Sequence, residues 1–261
     1  MPADFYQVYY YKPWPIFWVL HLAALIIFTL GMWDHVAIML RGKRRNLYNP
    51  FKIYHAAHGI FMEVVFQRQL WRQSKVRWLM HMAIFWGFIS LLLLTTLLSV
   101  IADGSVLPEV FRQYWLAGSG VQVIDVWGDV GGLVMLIGVL TALFRRKLIQ
   151  VEQLNTLAMD TNILWILLGL LVSGFAIEGI RFASITGTVG PNYAFVGGWA
   201  AELLAGVQNK QLYLSVLWVA HGLFSAGFIA YIPFSKFMHI FSAPLEIAVN
   251  ASEDGLRSDL Y

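Results

Sequence analysis

Five long apolar segments dominate this chain of 261 residues. They cover residues 15–40, 78–101, 121–144, 162–182 and 212–241. A helix needs about 20 apolar residues to cross the hydrocarbon of a bilayer, and each segment supplies that length. Only 13% of the residues are charged, whereas soluble domains carry about 25%. We therefore expect an all-α membrane protein with five transmembrane helices, in which residues 1–261 form a single membrane domain.

The 18 Lys and Arg residues are divided unevenly between the two sides of these spans. Fourteen lie in the segment 41–77, in the turn after the third span and in the C-terminal part, and four lie on the other side. Cytoplasmic loops are enriched in Lys and Arg. The sequence therefore predicts a multi-pass protein of the inner (cytoplasmic) membrane, with its N-terminus outside and its C-terminus in the cytoplasm. The net charge of +3 follows this asymmetry and does not indicate a nucleic-acid partner.

The segment 41–77, after the first span, interleaves aromatic and aliphatic residues with basic ones. This pattern is typical of an amphipathic helix that lies in the membrane interface. Such a helix would either anchor the chain to lipid headgroups or offer a docking surface to a cytoplasmic partner, and both readings stay open. On the opposite side, VGGWAAELLAGVQ in the connection 183–211 predicts a short helix.

The chain contains no cysteine. This excludes disulfides, iron–sulfur clusters held by thiolates, and covalently attached c-type haem, which requires Cys-x-x-Cys-His.

Two histidines stand out in the run from Leu212 to Ile247, which we expect to form one helix. His221 and His239 are 18 residues apart, which corresponds to five whole turns and about 27 Å along a helix axis. Both imidazoles would then leave the helix on the same side, one near each membrane surface. An imidazole within the bilayer is costly, so it indicates a functional site. Two in register suggest two haems stacked across the membrane.

Depth within the spans predicts how the histidines pair, because a six-coordinate b-type haem takes two axial ligands from facing helices. His81 lies one turn inside the cytoplasmic end of the second span, level with His239. His21 lies about seven residues into the first span from outside, level with His221 to about 3 Å. The expected inner pair is therefore His81 with His239, and the expected outer pair is His21 with His221.

His35 is the alternative inner ligand, because it follows His21 by 14 residues and points in nearly the same direction. It adjoins Asp34 at the cytoplasmic mouth, where an imidazole–carboxylate pair facing water needs no haem to explain it. His81 is preferred because it lies deeper in the apolar segment. His55 and His58 are interpreted as surface histidines of the amphipathic segment.

Several stretches resemble the gamma subunit of respiratory nitrate reductase and the related membrane dihaem cytochromes b of heterodisulfide reductase and of sulfate-reducer respiratory complexes. The stretches are IPFSKFMHIFSAPLEI at the end of the fifth span, HMAIFWGF at the start of the second, and SGFAIEGIR at the end of the fourth. The resemblance extends over all five spans. It implies a cytochrome b membrane domain with two haem b groups, in which His81, His221 and His239 correspond to haem ligands. The nitrate reductase pattern has a further His where this chain has Leu91, so His21 is assigned by depth alone.

The resemblance also implies a role and partners. Chains of this kind exchange electrons between a membrane quinone, here expected to be menaquinone, and a cytoplasmic iron–sulfur subunit. That partner would be heterodisulfide-reductase-like and would dock on the segment 41–77 and the C-terminal tail, alongside further subunits of the complex. The direction of electron flow is not fixed by the residues.

Charged residues near the outer ends of the third and fourth spans are the candidate quinone and proton site. They are Asp125 and Asp129, one turn apart in the third span, and Glu178 and Arg181 in the fourth. Quinol oxidation releases two protons, and carboxylates are suitable acceptors. The competing interpretation is ordinary interfacial charge, with Glu178 and Arg181 paired at i,i+3.

Two other functions fit five apolar spans. A haem-free membrane anchor would hold a partner at the bilayer without transferring electrons. A small transporter would line a substrate path with the same acidic residues, but the sequence has no inverted repeat or pair of broken helices.

Overall fold

The computed structural model describes residues 15–40, 50–103, 107–117, 119–149, 158–186 and 193–253. Within these ranges the chain is helical and contains no β-strand. Five helices are long and apolar enough to cross a membrane, and they cover Trp18–Ile38, Lys75–Ile101, Gly120–Lys147, Thr161–Ser184 and Lys210–Phe234. The prediction of an all-α protein with five membrane-spanning helices is confirmed.

We number the α-helices of the described residues in chain order. They are α1 (Pro15–Leu40), α2 (Pro50–Ile60), α3 (Arg68–Gln73), α4 (Lys75–Asp103), α5 (Glu109–Ala117), α6 (Gly120–Phe144), α7 (Ala158–Thr186), α8 (Phe195–Leu204), α9 (Lys210–Tyr231) and α10 (His239–Glu253). The short helix expected in the connection 183–211 is therefore present as α8.

The prediction of one continuous helix through 212–241 is wrong. Helix α9 ends at Tyr231, two short 3₁₀ turns follow, and α10 begins at His239. The cause is Pro233, which has no N–H to donate and whose ring clashes with the carbonyl four residues earlier. The Ser235 hydroxyl then accepts the N–H of Phe237 at 3.1 Å and stabilises the second turn. His221 and His239 therefore lie on different helices, and the five-turn spacing does not align them.

The amphipathic segment is helical but interrupted. Helix α2 continues into a π-helical turn, Phe61–Val65, and the chain then reverses at Gln67, whose φ is 51°. The Glu63 carboxylate accepts the N–H of Gln69 at 3.0 Å, which satisfies a free amide in the first turn of α3. Residues 41–49 of this segment, and the tail beyond residue 253, lie outside the described residues.

The contacts divide the chain into two compact units. The first contains Met80–Ser225 together with the chain up to Leu20, and the second contains His21–Leu79 and Ala226–Tyr261. In the first unit, α6 and α7 pack side by side, and α8 packs against both. In the second unit, α2 packs against α10.

Glycines allow the helices of the first unit to approach closely. A Cβ added to Gly138 on α6 would lie 2.8 Å from a side-chain atom of Ile84 on α4, and one added to Gly179 on α7 would lie 2.7 Å from the Cβ of Ala200 on α8. Real Cβ atoms do not tolerate these distances. The close approach of α7 and α8 brings the charged residues of α6 and α7 next to the N-terminus of α8.

Candidate functional site

A buried polar cluster lies in the first unit, where α6, α7 and α8 meet. Helix α6 contributes Asp125 and Asp129, and α7 contributes Glu178 and Arg181. The four residues predicted as a quinone and proton site are therefore brought together by the fold. We refer to them below as the acidic cluster.

The carboxylate of Asp129 is bonded to the N-terminus of α8. It accepts the N–H of Val196 at 2.8 Å and the N–H of Gly197 at 3.0 Å. The first amides of a helix have no partner within it, and the N-cap residue Ala194 has no side chain that can accept them. A carboxylate is also favoured there by the positive end of the helix dipole. Asp129, which lies on α6, therefore caps the N-terminus of α8.

Arg181 is the cation of the cluster. Its Nη2 lies 2.7 Å from an oxygen of Asp125 and 3.8 Å from an oxygen of Glu178. The side chains of Arg181 and Asp125 are only 8% and 2% exposed, so this is a buried ion pair. The predicted i,i+3 pairing of Glu178 with Arg181 is present, but the shorter bond goes to Asp125.

Glu178 faces both Asp129 and the start of α8. Its carboxyl carbon lies against Gly197, the residue whose N–H donates to Asp129. A Cβ added to Gly197 would lie 2.6 Å from the Cδ of Glu178, so this position must remain a glycine for the carboxyl group to fit. The cluster thus combines three carboxyl groups with one guanidinium, and a carboxyl group is a side chain that can take up and release a proton.

His221 on α9 is half-buried and bonded to α7 in the same unit. Its Nδ1 lies 2.8 Å from the Ser173 hydroxyl, and that hydroxyl donates to the carbonyl of Gly169 at 2.7 Å. A hydroxyl has one hydrogen to donate, and when Ser173 gives it to Gly169, Nδ1 of His221 carries the proton in its bond to Ser173. The Nε2 lone pair is then available to a metal. This arrangement fits an axial haem ligand whose second nitrogen is held by a hydrogen bond.

His239 shows the same pattern in the second unit. It is the first residue of α10, and its Nδ1 is bonded to the backbone carbonyl of Lys236. A carbonyl only accepts, so Nδ1 carries the proton in this bond. In a neutral imidazole the other nitrogen, Nε2, is the one that can bind a haem iron.

His35 has a different role within the second unit. Its Nε2 donates to the carbonyl of Pro233 at 3.1 Å, beside the break that follows α9. A Cβ added to Gly31, one turn earlier, would lie 2.6 Å from the Cβ of Pro233. The bond leaves His35 only Nδ1, the nitrogen nearer the backbone. It gives this histidine a structural role that needs no haem.

His21 on α1 and His81 on α4 are both half-buried. Each predicted haem pair takes one histidine from each compact unit, since His81 and His221 belong to the first and His21 and His239 to the second. The pairing therefore stays a prediction. Among the described residues, no three His, Asp or Glu side chains form a group that could hold a metal ion, and a haem iron needs only two.

Sequence reasoning missed several residues that the fold brings into the site. The Ser173 hydroxyl at His221 and the backbone amides of Val196 and Gly197 at Asp129 come from other elements. No sequence signal indicates such long-range bonds. Pro233 and Ser235 were visible as helix-breaking residues and could have predicted the break before His239.

Comparisons with known proteins identify a family and several relatives. The family model for HdrE, a component of dihydromethanophenazine:CoB–CoM heterodisulfide reductase, matches residues 58–247. The chain is 28% identical over 219 residues to the same component from Methanosarcina acetivorans, covering 75% of this chain and 69% of the relative. It is also 28% identical over 203 residues to the Methanosarcina barkeri protein, covering 73% and 65%.

A relative of another name matches almost the whole chain. The EtfAB:quinone oxidoreductase of Syntrophomonas wolfei is 26% identical over 261 residues, covering 95% of this chain and 35% of that protein. The chain thus spans about two thirds of the heterodisulfide reductase relatives and about one third of the quinone oxidoreductase. No solved structure matches the chain significantly.

Proposed function

Because the chain belongs to the HdrE family of dihydromethanophenazine:CoB–CoM heterodisulfide reductase, we propose that it is a dihaem cytochrome b subunit of a membrane complex. It would pass electrons between the quinone pool and a cytoplasmic iron–sulfur partner subunit. Its relatives carry the names of a heterodisulfide reductase and of a quinone oxidoreductase, and both names describe redox reactions.

The observation that carries the proposal is the contact between His221 and Ser173. An imidazole on a spanning helix, with Nδ1 held at 2.8 Å by a hydroxyl, leaves Nε2 as a ligand for iron. His35 differs, because its Nε2 is the nitrogen that donates to the carbonyl of Pro233.

Two haem b groups fit the donor set of this chain. His21 and His221 would hold the outer group, and His81 and His239 the inner one, with His35 as the alternative inner ligand. A bound haem supplies a one-electron carrier. Ser173 and the carbonyl of Lys236 would fix the imidazole orientation of His221 and His239.

The acidic cluster would handle the protons of quinol oxidation, which releases two electrons and two protons. Asp129 is held by two backbone amides, so the Glu178 carboxyl oxygen is the group placed to take a proton and pass it on. Arg181 would hold the charge of Asp125 and orient Glu178. Menaquinone is the expected quinone.

The partner would be a heterodisulfide-reductase-like iron–sulfur subunit, accompanied by further subunits of the complex. It would dock from the cytoplasm on the segment 41–77 and the C-terminal tail. The described part of this surface combines exposed Ile53, Tyr54 and Trp71 with basic residues. The excess of Lys and Arg supports a cytoplasmic location for it, in the inner membrane.

A haem count tests the proposal. Purified wild type should show b-type bands in a dithionite-reduced minus oxidised spectrum, with two haems per chain by pyridine haemochrome. His21→Ala and His81→Ala should each lose one haem, and His58→Ala, at an exposed position on α2, should lose none. Absence of haem from the wild type would favour an anchor or a transporter. If His21→Ala retained two haems, the proposed pairing of His21 with His221 would be wrong.

A further inference from the structure

A groove of about 800 Å³ lies on the first unit, between α4 and α6. Its wall includes Trp86 and Ser90 from α4, Trp127 and Val130 from α6, and Tyr193 from the turn before α8. Trp86 and Val130 are exposed on spanning helices. The groove therefore opens on a face of this unit that is formed by spanning helices.

The groove is preformed by close helix packing. A Cβ added to Gly87 on α4 would lie 2.5 Å from the Cβ of Met135 on α6, and Trp127 Nε1 donates to the Ser90 hydroxyl at 2.6 Å. These contacts fix the distance between the two helices and the plane of the Trp127 indole. A rigid, flat aromatic wall is suited to a flat aromatic ring.

Polar groups lie at one end of the groove and apolar groups along its length. Gln122 and Tyr193 line the polar end, while Val123, Val130 and Val134 follow along α6. The distance along the helix from Gln122 to Val134 is about 18 Å. The occupant should accordingly be a long molecule with a polar ring at the Tyr193 end and an apolar tail that runs toward the middle of the bilayer.

Tyr193 connects this end with the acidic cluster. It packs against the buried core of Phe182, Ala183, Ala194 and Ala201. Burial raises the pKa of its hydroxyl above the usual value, the Asp125 carboxylate raises it further, and the Arg181 guanidinium opposes these effects. The hydroxyl is therefore neutral and can donate a hydrogen bond to a ring oxygen or nitrogen.

We propose that this groove binds the head and the first tail units of a lipid-soluble two-electron carrier, a quinol or a dihydrophenazine, with Tyr193 as a donor to the ring. The inference rests on the proposed function and locates its substrate. The cluster residues themselves are too buried to receive the ring, since Asp125, Asp129 and Arg181 are all closed off from the surface. Tyr193 and Gln122 are the polar groups that the ring would meet.

Binding of heptyl-hydroxyquinoline N-oxide, a fluorescent quinol analogue, tests the groove in the purified haem-loaded protein. We expect Val130→Phe, which fills the groove, to weaken binding by about tenfold or more. Tyr193→Phe removes one hydrogen bond and should weaken it by about 3- to 10-fold. The matched control is Ile137→Phe, two turns further on the same face of α6, 55% exposed and outside the groove wall. It should bind like wild type.

Displacement of the bound probe distinguishes the two kinds of carrier. A short-tailed menaquinone analogue that displaces it more effectively than hydroxyphenazine assigns a quinol, and the reverse order assigns a dihydrophenazine.

Two results would contradict the proposal that the groove binds the carrier. Unchanged affinity in both Val130→Phe and Tyr193→Phe would mean that the analogue binds elsewhere and that the groove holds ordinary bilayer lipid. If Ile137→Phe lost as much affinity for the analogue as Val130→Phe, the added side-chain volume on the exposed face of α6 would explain the loss, and the groove would not. Either result with two haems still present leaves the proposed function intact, whereas a haem-free wild type would end the proposed function itself.

Discussion

Arg181 on α7 donates to Asp125 on α6 across 2.7 Å, and both side chains are buried. A charge in this position is tolerated only because its partner lies beside it. The pair joins the two helices that hold the acidic cluster. The same guanidinium lies 3.8 Å from an oxygen of Glu178, so loss of the pair would also change the position of that carboxyl group.

Removing one partner of this pair should be costly. We expect Asp125→Ala or Arg181→Ala to lower the free energy of unfolding by about 3–5 kcal/mol, because the remaining buried charge would lose its nearest partner. The double variant should lose less than the sum of the two. The control is Glu109→Gln, which breaks the exposed Arg112–Glu109 pair and should cost less than about 1 kcal/mol. Thermal unfolding in detergent micelles measures these differences, and additive losses would contradict the coupling.

Asp129 should behave as a helix cap as well as an acid. Asp129→Ala leaves the Val196 and Gly197 amides without their acceptor and should cost about 1–2 kcal/mol. Asp129→Asn keeps one acceptor oxygen and should cost less. Proteolysis rates at the 193–209 segment, together with thermal unfolding, would show the difference. Equal behaviour of the two variants would show that the amides do not depend on this side chain.

Ser173 should control the chemistry of His221. We expect Ser173→Ala to weaken haem retention by about 10- to 100-fold, or to shift the reduction potential of one haem, because Nδ1 loses its acceptor. Ser173→Thr keeps a hydroxyl and should stay closer to wild type.

The matched control for this prediction is Ser184→Ala. Ser184 makes the same type of bond to the carbonyl four residues earlier on α7, at 2.7 Å to Ile180. The measurement is haem content with a redox titration. If Ser173→Ala and Ser184→Ala were indistinguishable from wild type, His221 would not depend on this hydroxyl.

Gly31 should tolerate no side chain. Gly31→Ala places a Cβ 2.6 Å from the rigid Pro233 ring and should destabilise the protein by about 1–3 kcal/mol. The control is Gly227→Ala on α9, where a Cβ meets nothing within 4 Å and should stabilise the helix by about 0.5–1 kcal/mol. The unfolding midpoint should fall in Gly31→Ala and rise in Gly227→Ala. An unchanged midpoint in Gly31→Ala would show that the segment at Pro233 can shift to accommodate the added methyl group.

Much of the fold could be predicted because lipid imposes simple requirements on sequence. A spanning helix must be long and apolar, so its position follows from composition alone. Asp125 and Asp129, one turn apart, and Glu178 with Arg181, at i,i+3, were predicted as a site because charge within such helices is rare. The structure does bring these four together.

The break before His239 was not predicted, although Pro233 indicates it. The apolar run reaches up to the break, since Ile232 and Phe234 flank Pro233 and more aromatic residues follow it. Hydropathy describes what a segment can be buried in, whereas backbone hydrogen bonding decides whether it stays helical. The 18-residue spacing of His221 and His239 therefore does not align their side chains, because the helix is interrupted between them.

The sequence by itself determined the class of the protein, its five spans and the places of the charged residues and histidines within them, because each follows from local composition and spacing. Only the tertiary structure decided the partners: Ser173 for His221, the amides of α8 for Asp129, Asp125 for Arg181 and Pro233 for His35. These bonds join residues 48 to 198 positions apart. These bonds form only when the right helices pack together closely enough. The closeness of packing depends on side-chain volume at the glycine contacts, and no pattern along a single helix shows it.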